Sequence, residues 1–279
     1  MNTKLLMIEG IPGSGKSTFA KKIADYYKDK GVKVNLYVEG QMHPADLAWC
    51  ALVPLDLLDI LIIKYPDLEK DIRKNMLHYK SYAIIAYTQI KTDNYEFYKE
   101  LESYEVYDNR IPFDKFCEIN YDRWQSFGEQ AFNKDELNIF ECAFLQNHVN
   151  EMLNFQLSCE KNIEVHLNKL ISYVLNLSPV LIYLSQDDIR ETIDKVSKER
   201  VSEDGNWIDM AINYVENSPF GKLNNLRGLD GFIYQIENRK NTELDIIKTL
   251  PIKTIIVENK DYDWEKVWQD IKAFLDTLD

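Results

Sequence analysis

Apolar positions along the chain fall into short dense runs separated by stretches in which they recur every three to four residues. Dense runs occur at 4–9 (KLLMIE), 137–145 (LNIFECAFL), 178–186 (SPVLIYLSQ) and 251–259 (PIKTIIVEN). Runs of that length predict strands buried on both faces, as in a parallel sheet. The segment 32–39 (VKVNLYVE) alternates instead and predicts a further strand. After the first run, Phe19, Ala20, Ile23, Ala24 and Tyr27 keep helical spacing, and Gly31 is a suitable stop. Helix-like stretches also follow the later strands, at 148–177, 187–200 and 264–278. Strands alternating with helices predict an α/β fold: a five-stranded parallel sheet in a three-layer arrangement, helices on both faces.

Two segments fall outside this scheme. Residues 41–135, between the second and third strands, are too long for a structureless loop. They read as a large helical insertion (DLLDILIIKY, DLEKDIRKNMLHYKSYAIIAYTQIK, FDKFCEINYDRWQSFGEQAF), with Leu68, Ile72, Met76, Tyr79 and Ala83 at three-to-four spacing. Residues 187–250 form a second, lid-like helical elaboration that includes GFIYQIENRKNTELDIIKTL. No repeat or linker divides the chain, so 1–279 reads as one domain. The insertion is expected to bind an acceptor over the sheet's active edge.

Charge narrows the partners. The chain has 33 basic and 46 acidic residues, a formal charge of −13, and no basic run. Such a surface repels nucleic acid polymers and anionic membranes, and neither is an expected partner. Cys50, Cys117, Cys142 and Cys159 show no CxxC spacing and read as reduced thiols. His43, His78, His148 and His166 are scattered, with no zinc-binding pattern. Without a leader pattern or an apolar run of about 20 residues, the expected location is cytoplasmic. Assembly as a homodimer is left open.

The strongest chemical signal follows the first strand. Gly10, Ile11, Pro12, Gly13, Ser14, Gly15, Lys16 and Ser17 match G-x-x-x-x-G-K-[ST] in full, with Thr18 next. Glycines let the backbone curl so that its N–H groups point at phosphate oxygens, and the helix start adds positive potential. In this motif the lysine, here Lys16, reaches the β- and γ-phosphates, and the hydroxyl of Ser17 ligates Mg²⁺. The expected cofactors are ATP and Mg²⁺.

The remaining signatures separate the classes of phosphate-loop protein. No DxxG occurs, and NKDE at 133–136 and NKDY at 259–262 lack the final Asp of a guanine-binding motif. The LSGGQ signature is missing as well. A kinase arrangement remains, with a slowly hydrolysing nucleotide switch or a non-turning-over nucleotide binder as alternatives. MIEGIPGSGKST with its second strand, and PVLIYLSQDDIRETIDKVSKER at 179–200, resemble the thymidylate kinase and deoxynucleoside kinase branch of P-loop kinases. The resemblance covers the core strands and their helices and leaves out 41–135. It implies a lid over ATP at the basic end of the helix, with Lys195, Lys198 and above all Arg200 as clamps on the transferring phosphoryl group.

Members of that branch carry an acidic–arginine pair at the end of the third strand. Here the third strand holds Glu141 with no adjacent Arg. An unpaired buried carboxylate costs several kcal/mol. Glu141 is therefore expected to face the metal or the acceptor hydroxyl, as metal ligand or catalytic base, or else to pair with a buried Lys or Arg. The competitor is YEVYDNRIPF, with Asp108 and Arg110; its polar flanks and turn residues argue against a strand. Gln146 and Asn147, at the third strand's carboxyl end, are further ligand candidates. Glu39, ending the second strand, is a candidate substrate ligand. Arg123 is another, beside Trp124, unless the pair is a core Trp with a surface Arg. The expected activity is transfer of the γ-phosphoryl group of ATP to a hydroxyl or phosphate of a small molecule. By resemblance that acceptor is a nucleoside or nucleotide; a sugar, an antibiotic or another metabolite is the alternative.

Overall fold

The computed structural model describes residues 2–40, 42–202, 205–260 and 262–278. Its centre is a parallel sheet of five strands: β1 (Leu5–Gly10), β2 (Val34–Tyr37), β6 (Leu137–Glu141), β7 (Val180–Ser185) and β10 (Lys253–Glu258). Their spatial order is β10-β7-β1-β6-β2, so β1 lies in the middle. The third strand of this sheet in chain order falls in the expected 137–145 run but ends at Glu141, and the 104–113 segment forms no strand of this sheet.

Alternation along β1 sorts its side chains into two cores. Leu5 and Met7 face one layer with Phe140, Leu181, Tyr183 and Trp124. Leu6 and Ile8 face the other with Ile139, Ile182 and Leu184, against α1 (Lys16–Asp29) and α12 (Trp264–Leu275). The first layer is covered by α5 (Phe113–Phe132), α7 (Glu160–Ser172) and the end of α11 (Gly228–Ile247). Gly128 permits α5 to come close: a Cβ there would lie 2.2 Å from the carbonyl oxygen of Tyr173.

The insertion is not helical throughout. Besides α2 (Leu55–Lys64), α3 (Glu69–Lys74), α4 (Tyr95–Glu102) and α5, it holds an antiparallel sheet of β3 (Ala51–Pro54), β4 (Met76–Tyr79) and β5 (Tyr82–Ile85), in the order β3-β5-β4. Met76, Tyr79 and Ala83 thus belong to a hairpin and not to a helix. The helix stops at Asn75, whose dihedrals (φ −105°, ψ 27°) are not helical, and the chain reverses at Lys80, at φ 50°. The short α6 (Gln146–Asn150) follows β6.

The second elaboration is helical as expected, through α8 (Ile189–Glu199), α9 (Trp207–Asn217), α10 (Pro219–Leu223) and α11. A two-residue ribbon, β8 (Val201–Ser202) with β9 (Gly205–Asn206), joins α8 to α9. Ile11 of the glycine loop is buried in the same cluster as Ile193, Val196, Val215, Phe232 and Ile236. The elaboration is therefore anchored directly on the loop. No described helix is long and apolar enough to cross a membrane.

Candidate functional site

The glycine loop leaves the carboxyl end of β1 and turns into α1. Gly10, Gly13 and Gly15 have φ of 141°, 81° and 98°, a region closed to most L-residues. Space is closed as well at Gly15, where a Cβ would stand 2.7 Å from the Trp264 ring. Lys16 is buried, and its Nζ donates to the carbonyl oxygens of Gly10 and Ile11, both at 2.9 Å. The ammonium thus lies inside the curl, on the side where phosphate oxygens would sit.

Ser17 is on the first turn of α1, and its hydroxyl donates to the Glu141 carboxylate at the end of β6. Ile8 and Glu141 are register partners, so the pairing of β1 with β6 sets this meeting. Glu141 is 5% exposed, with no Lys or Arg within ion-pair distance among the described residues. A hydroxyl and a buried carboxylate offer two hard oxygen donors, which suits Mg²⁺ held mainly by phosphate and water. No cluster of three or more His, Cys, Asp or Glu forms a self-sufficient metal cage among the described residues.

Three more groups gather at this edge. The backbone at Cys142, next to Glu141, is left-handed (φ 64°). Burial pushes its thiol pKa well up, with Lys16 opposing and Glu39, Glu9 and Glu141 adding, which places all four charges around one point. Glu9 is fully buried; its two oxygens accept from the backbone N–H groups of Phe144 (2.8 Å) and Gln146 (3.0 Å). Burial outweighs both bonds and raises its pKa to about 7. Glu9 therefore fixes the loop after β6, and nothing in its local sequence marks it.

α8 crosses above the glycine loop. A Cβ on Gly13 would stand 3.0 Å from Thr192 Cγ2 and 3.3 Å from Val196 Cβ. Arg200 follows the last residue of α8, is exposed and has non-helical dihedrals (φ −103°, ψ 55°), so it does not extend the face that touches the loop. Its guanidinium lies 5.1 Å from the Trp207 ring centroid. Lys195 is committed to Tyr262, with Nζ 3.2 Å from that ring centroid. Lys198 is exposed. On the far side, Asn259 Nδ2 donates to the carbonyl of Ser14 at 3.0 Å, tying the 259–264 segment to the loop. In the NKDY tetrapeptide, Asn259 thus braces the loop, and Asp261 lies outside the described residues.

A cleft of about 370 Å³ begins at Pro12. The segment after β2 supplies Glu39, α6 supplies Gln146, the insertion supplies Trp49, Glu105 and Asp108, and α9 and α11 supply Tyr214 and Arg239. Burial raises the Glu105 pKa to about 7, with Asp108 and Glu102 adding to the rise. Burial also raises Asp108, against a hydrogen bond from the Tyr214 hydroxyl. Behind them, Glu151 accepts from the N–H groups of Asp108 (2.6 Å) and Asn109 (3.1 Å). Asp46 accepts from the Tyr107 hydroxyl (2.6 Å) and from Asn147 Nδ2 (2.8 Å).

The predicted residues thus separate. Lys16, Ser17 and Glu141 meet at the glycine loop. Glu39, Asp108, Gln146 and Asn147 line the cleft. Asp108 is no partner of Ser17, since the Ser17 hydroxyl is held by Glu141. Arg110 points away and lies 3.5 Å from exposed Glu102. Arg123 does not line the cleft; its Nη2 donates to the carbonyl of His43 at 2.6 Å, and Trp124 is fully buried. Among the tyrosines of the insertion, Tyr107 reaches the cleft. Sequence reasoning missed Glu9, Asp46, Glu105, Glu151, Gln235 and Arg239. An apolar-position scan treats Arg239 and Glu243 as an ordinary surface i,i+4 pair, yet they are 5% and 0% exposed.

No family model matches the chain, and no curated protein matches it in sequence. Among solved structures it is similar to a thymidylate kinase from Ehrlichia chaffeensis, at 14% identity and a TM-score of 0.42, covering 98% of each chain. It is also similar to a thymidylate kinase from Candida albicans described as having broad substrate specificity. That match has 14% identity and a TM-score of 0.40, and covers 97% of this chain and 92% of the other. The fold is read here from the strand order and the glycine loop; likeness at this level says nothing about substrate.

Proposed function

We propose that the protein is a small-molecule kinase. It binds ATP with Mg²⁺ on the glycine loop and passes the γ-phosphoryl group to a hydroxyl of an acceptor held in the neighbouring cleft. The observation that carries this reading is the position of Pro12, which belongs to the glycine loop and also lines the cleft. A triphosphate on the loop would end at a half-open, largely apolar cleft built by two elaborations of the sheet. Closure of that cleft around an acceptor would exclude water and favour transfer over hydrolysis.

The residues divide the work. The curl Gly10, Pro12, Gly13, Ser14, Gly15 and Thr18 supplies N–H donors and the start of α1. Lys16 neutralises charge on the transferring group. Ser17 and Glu141 would hold Mg²⁺. Arg200, just beyond the end of α8, would have to leave Trp207 to clamp the phosphoryl group as charge spreads over its equatorial oxygens. Glu141 is engaged with Ser17, so the carboxylate positioned to receive the acceptor's hydroxyl proton is Glu39, which lines the cleft and lies 3.5 Å from Gln146 Nε2. Asp108 contributes to holding the acceptor.

Equilibrium titration with a non-hydrolysable ATP analogue tests the first half of this scheme. Mg²⁺-dependent binding that Lys16→Ala abolishes is expected. Absence of binding at millimolar analogue contradicts it.

A further inference from the structure

The cleft combines unmatched hydrogen-bond donors with an excess of carboxylates. On α11, Gln235 and Arg239 are four residues apart and both line it. Gln235 is 1% exposed and Arg239 5% exposed. Gln235 Nε2 and Arg239 Nη2 have no hydrogen-bond partner among the described residues. Buried donors are nearly always paired, so two on one helix face mark the place of an absent acceptor. Across the same cleft, Gln146 Oε1 also lacks a partner among the described residues.

The charge of Arg239 is already committed. Its Nε lies 3.1 Å from Glu243 Oε1, an ion pair without hydrogen-bond geometry, and Glu243, fully buried, is held from behind by the Tyr183 hydroxyl at 2.6 Å. Arg239 therefore presents directed N–H groups to the cleft with little net positive charge. The remaining ionisable lining is acidic: Glu39, Glu105 and Asp108. Its flat surfaces are aromatic, from Trp49, Trp207 and Tyr214.

Resting on the kinase reading above, we infer that the acceptor is an unphosphorylated, ring-bearing polyol, neutral or cationic, and that Gln235 and Arg239 select it. Its carbonyl, ring-nitrogen or hydroxyl acceptor atoms meet the donors of α11. Its hydroxyl or amine hydrogens meet Glu39, Glu105 and Asp108. A phosphomonoester would bring close to two negative charges into a chamber whose single guanidinium is spoken for, so nucleoside monophosphates are rejected. Nucleosides and amino sugars share the accepted chemistry.

The test offers γ-labelled ATP with a panel of nucleosides, the matching 5′-monophosphates, and amino sugars. Label on a nucleoside is expected if the ring is a base, and on an amino sugar if an amine faces the carboxylates. In either case kcat/KM should exceed that for the monophosphates by at least about 100-fold, given the cost of like charges in a buried site. Gln235→Leu should raise the acceptor KM about tenfold, one lost hydrogen bond, with the KM for ATP unchanged. Arg239→Lys, which keeps the charge beside Glu243 but loses the planar fork, should do the same. Monophosphates phosphorylated as well as nucleosides, failure of every unphosphorylated acceptor, or an unchanged acceptor KM in both variants overturns the inference. Failure to bind the ATP analogue instead overturns the kinase reading beneath it.

Discussion

Ser17 on the first turn of α1 donates its hydroxyl hydrogen to Glu141 at the end of β6, joining residues 124 positions apart. Among the described residues no Lys or Arg pairs with Glu141, which is buried. In the proposed function these two oxygens would be donors to Mg²⁺. Glu141→Gln should retain the fold and most affinity for metal-free ATP. It should lower kcat by about two orders of magnitude and raise the Mg²⁺ needed for half-maximal rate. Rates measured against MgCl₂ concentration check both; an unchanged metal dependence would move Glu141 out of the metal site.

Lys16 donates to two loop carbonyls at 2.9 Å. Lys16→Ala withdraws the donor from two buried carbonyls and, in the proposed function, removes the charge nearest the γ-phosphate. Turnover should fall by about 10²-fold to 10³-fold, and Tm should fall too, since an unpaired buried acceptor costs about 1–3 kcal/mol. Parallel measurement of kcat and Tm separates the two effects.

Four buried carboxylates make stability depend on pH with a definite sign. Burial raises Glu9, Glu105 and Glu151 from 4.5 to about 7, and Asp46 from 3.8 to about 6. The folded state therefore binds these protons more tightly than the unfolded chain. The stabilisation is complete below the unfolded pKa values and is lost as pH rises through about 6 to 7. Buried His43, His148 and His166, whose pKa values burial lowers, oppose this below about pH 6.5, so Tm should fall between about pH 6.5 and about pH 8. Glu105→Gln keeps an acceptor for the Tyr87 hydroxyl, removes one titrating group facing Asp108 and Glu102, and should flatten the slope. A Tm that climbs with pH over this window contradicts the assignment.

The Arg239–Glu243 pair sets a different stability test. Both side chains are buried, and Tyr183 supports the glutamate. Glu243→Ala strands a guanidinium in the interior and should cost about 3–5 kcal/mol. Tyr183→Phe removes one hydrogen bond to a charged group and should cost about 1.5–3 kcal/mol. Urea unfolding of the three proteins gives both values directly.

Much of the fold was legible because its signals are local. Four apolar runs and one alternating segment located the five parallel strands, and the glycine motif located the loop between β1 and α1, since each is written in contiguous residues. Glu141 is favoured over Asp108 in the sequence by the polar flanks and turn residues around Asp108, which lies in a left-handed turn at φ 63°. The hairpin at 76–85 was misread because Leu68, Ile72, Met76, Tyr79 and Ala83 satisfy a helical period. What makes it β is pairing with 51–54, a tertiary contact that overrides the pattern. Glu9 and Arg239 were invisible for the same reason: burial of a charge is decided by elements distant in sequence. The cleft was unreadable because its lining comes from seven separate segments.

The central claim is that the loop hands a phosphoryl group to a second molecule. Its most direct measurement follows the label of γ-labelled ATP, with Mg²⁺, across a panel of hydroxyl acceptors, for the natural protein and Lys16→Ala. The account predicts label in an acceptor-dependent organic product, lost in the variant. Label released only as inorganic phosphate, at a rate no acceptor changes, would contradict it.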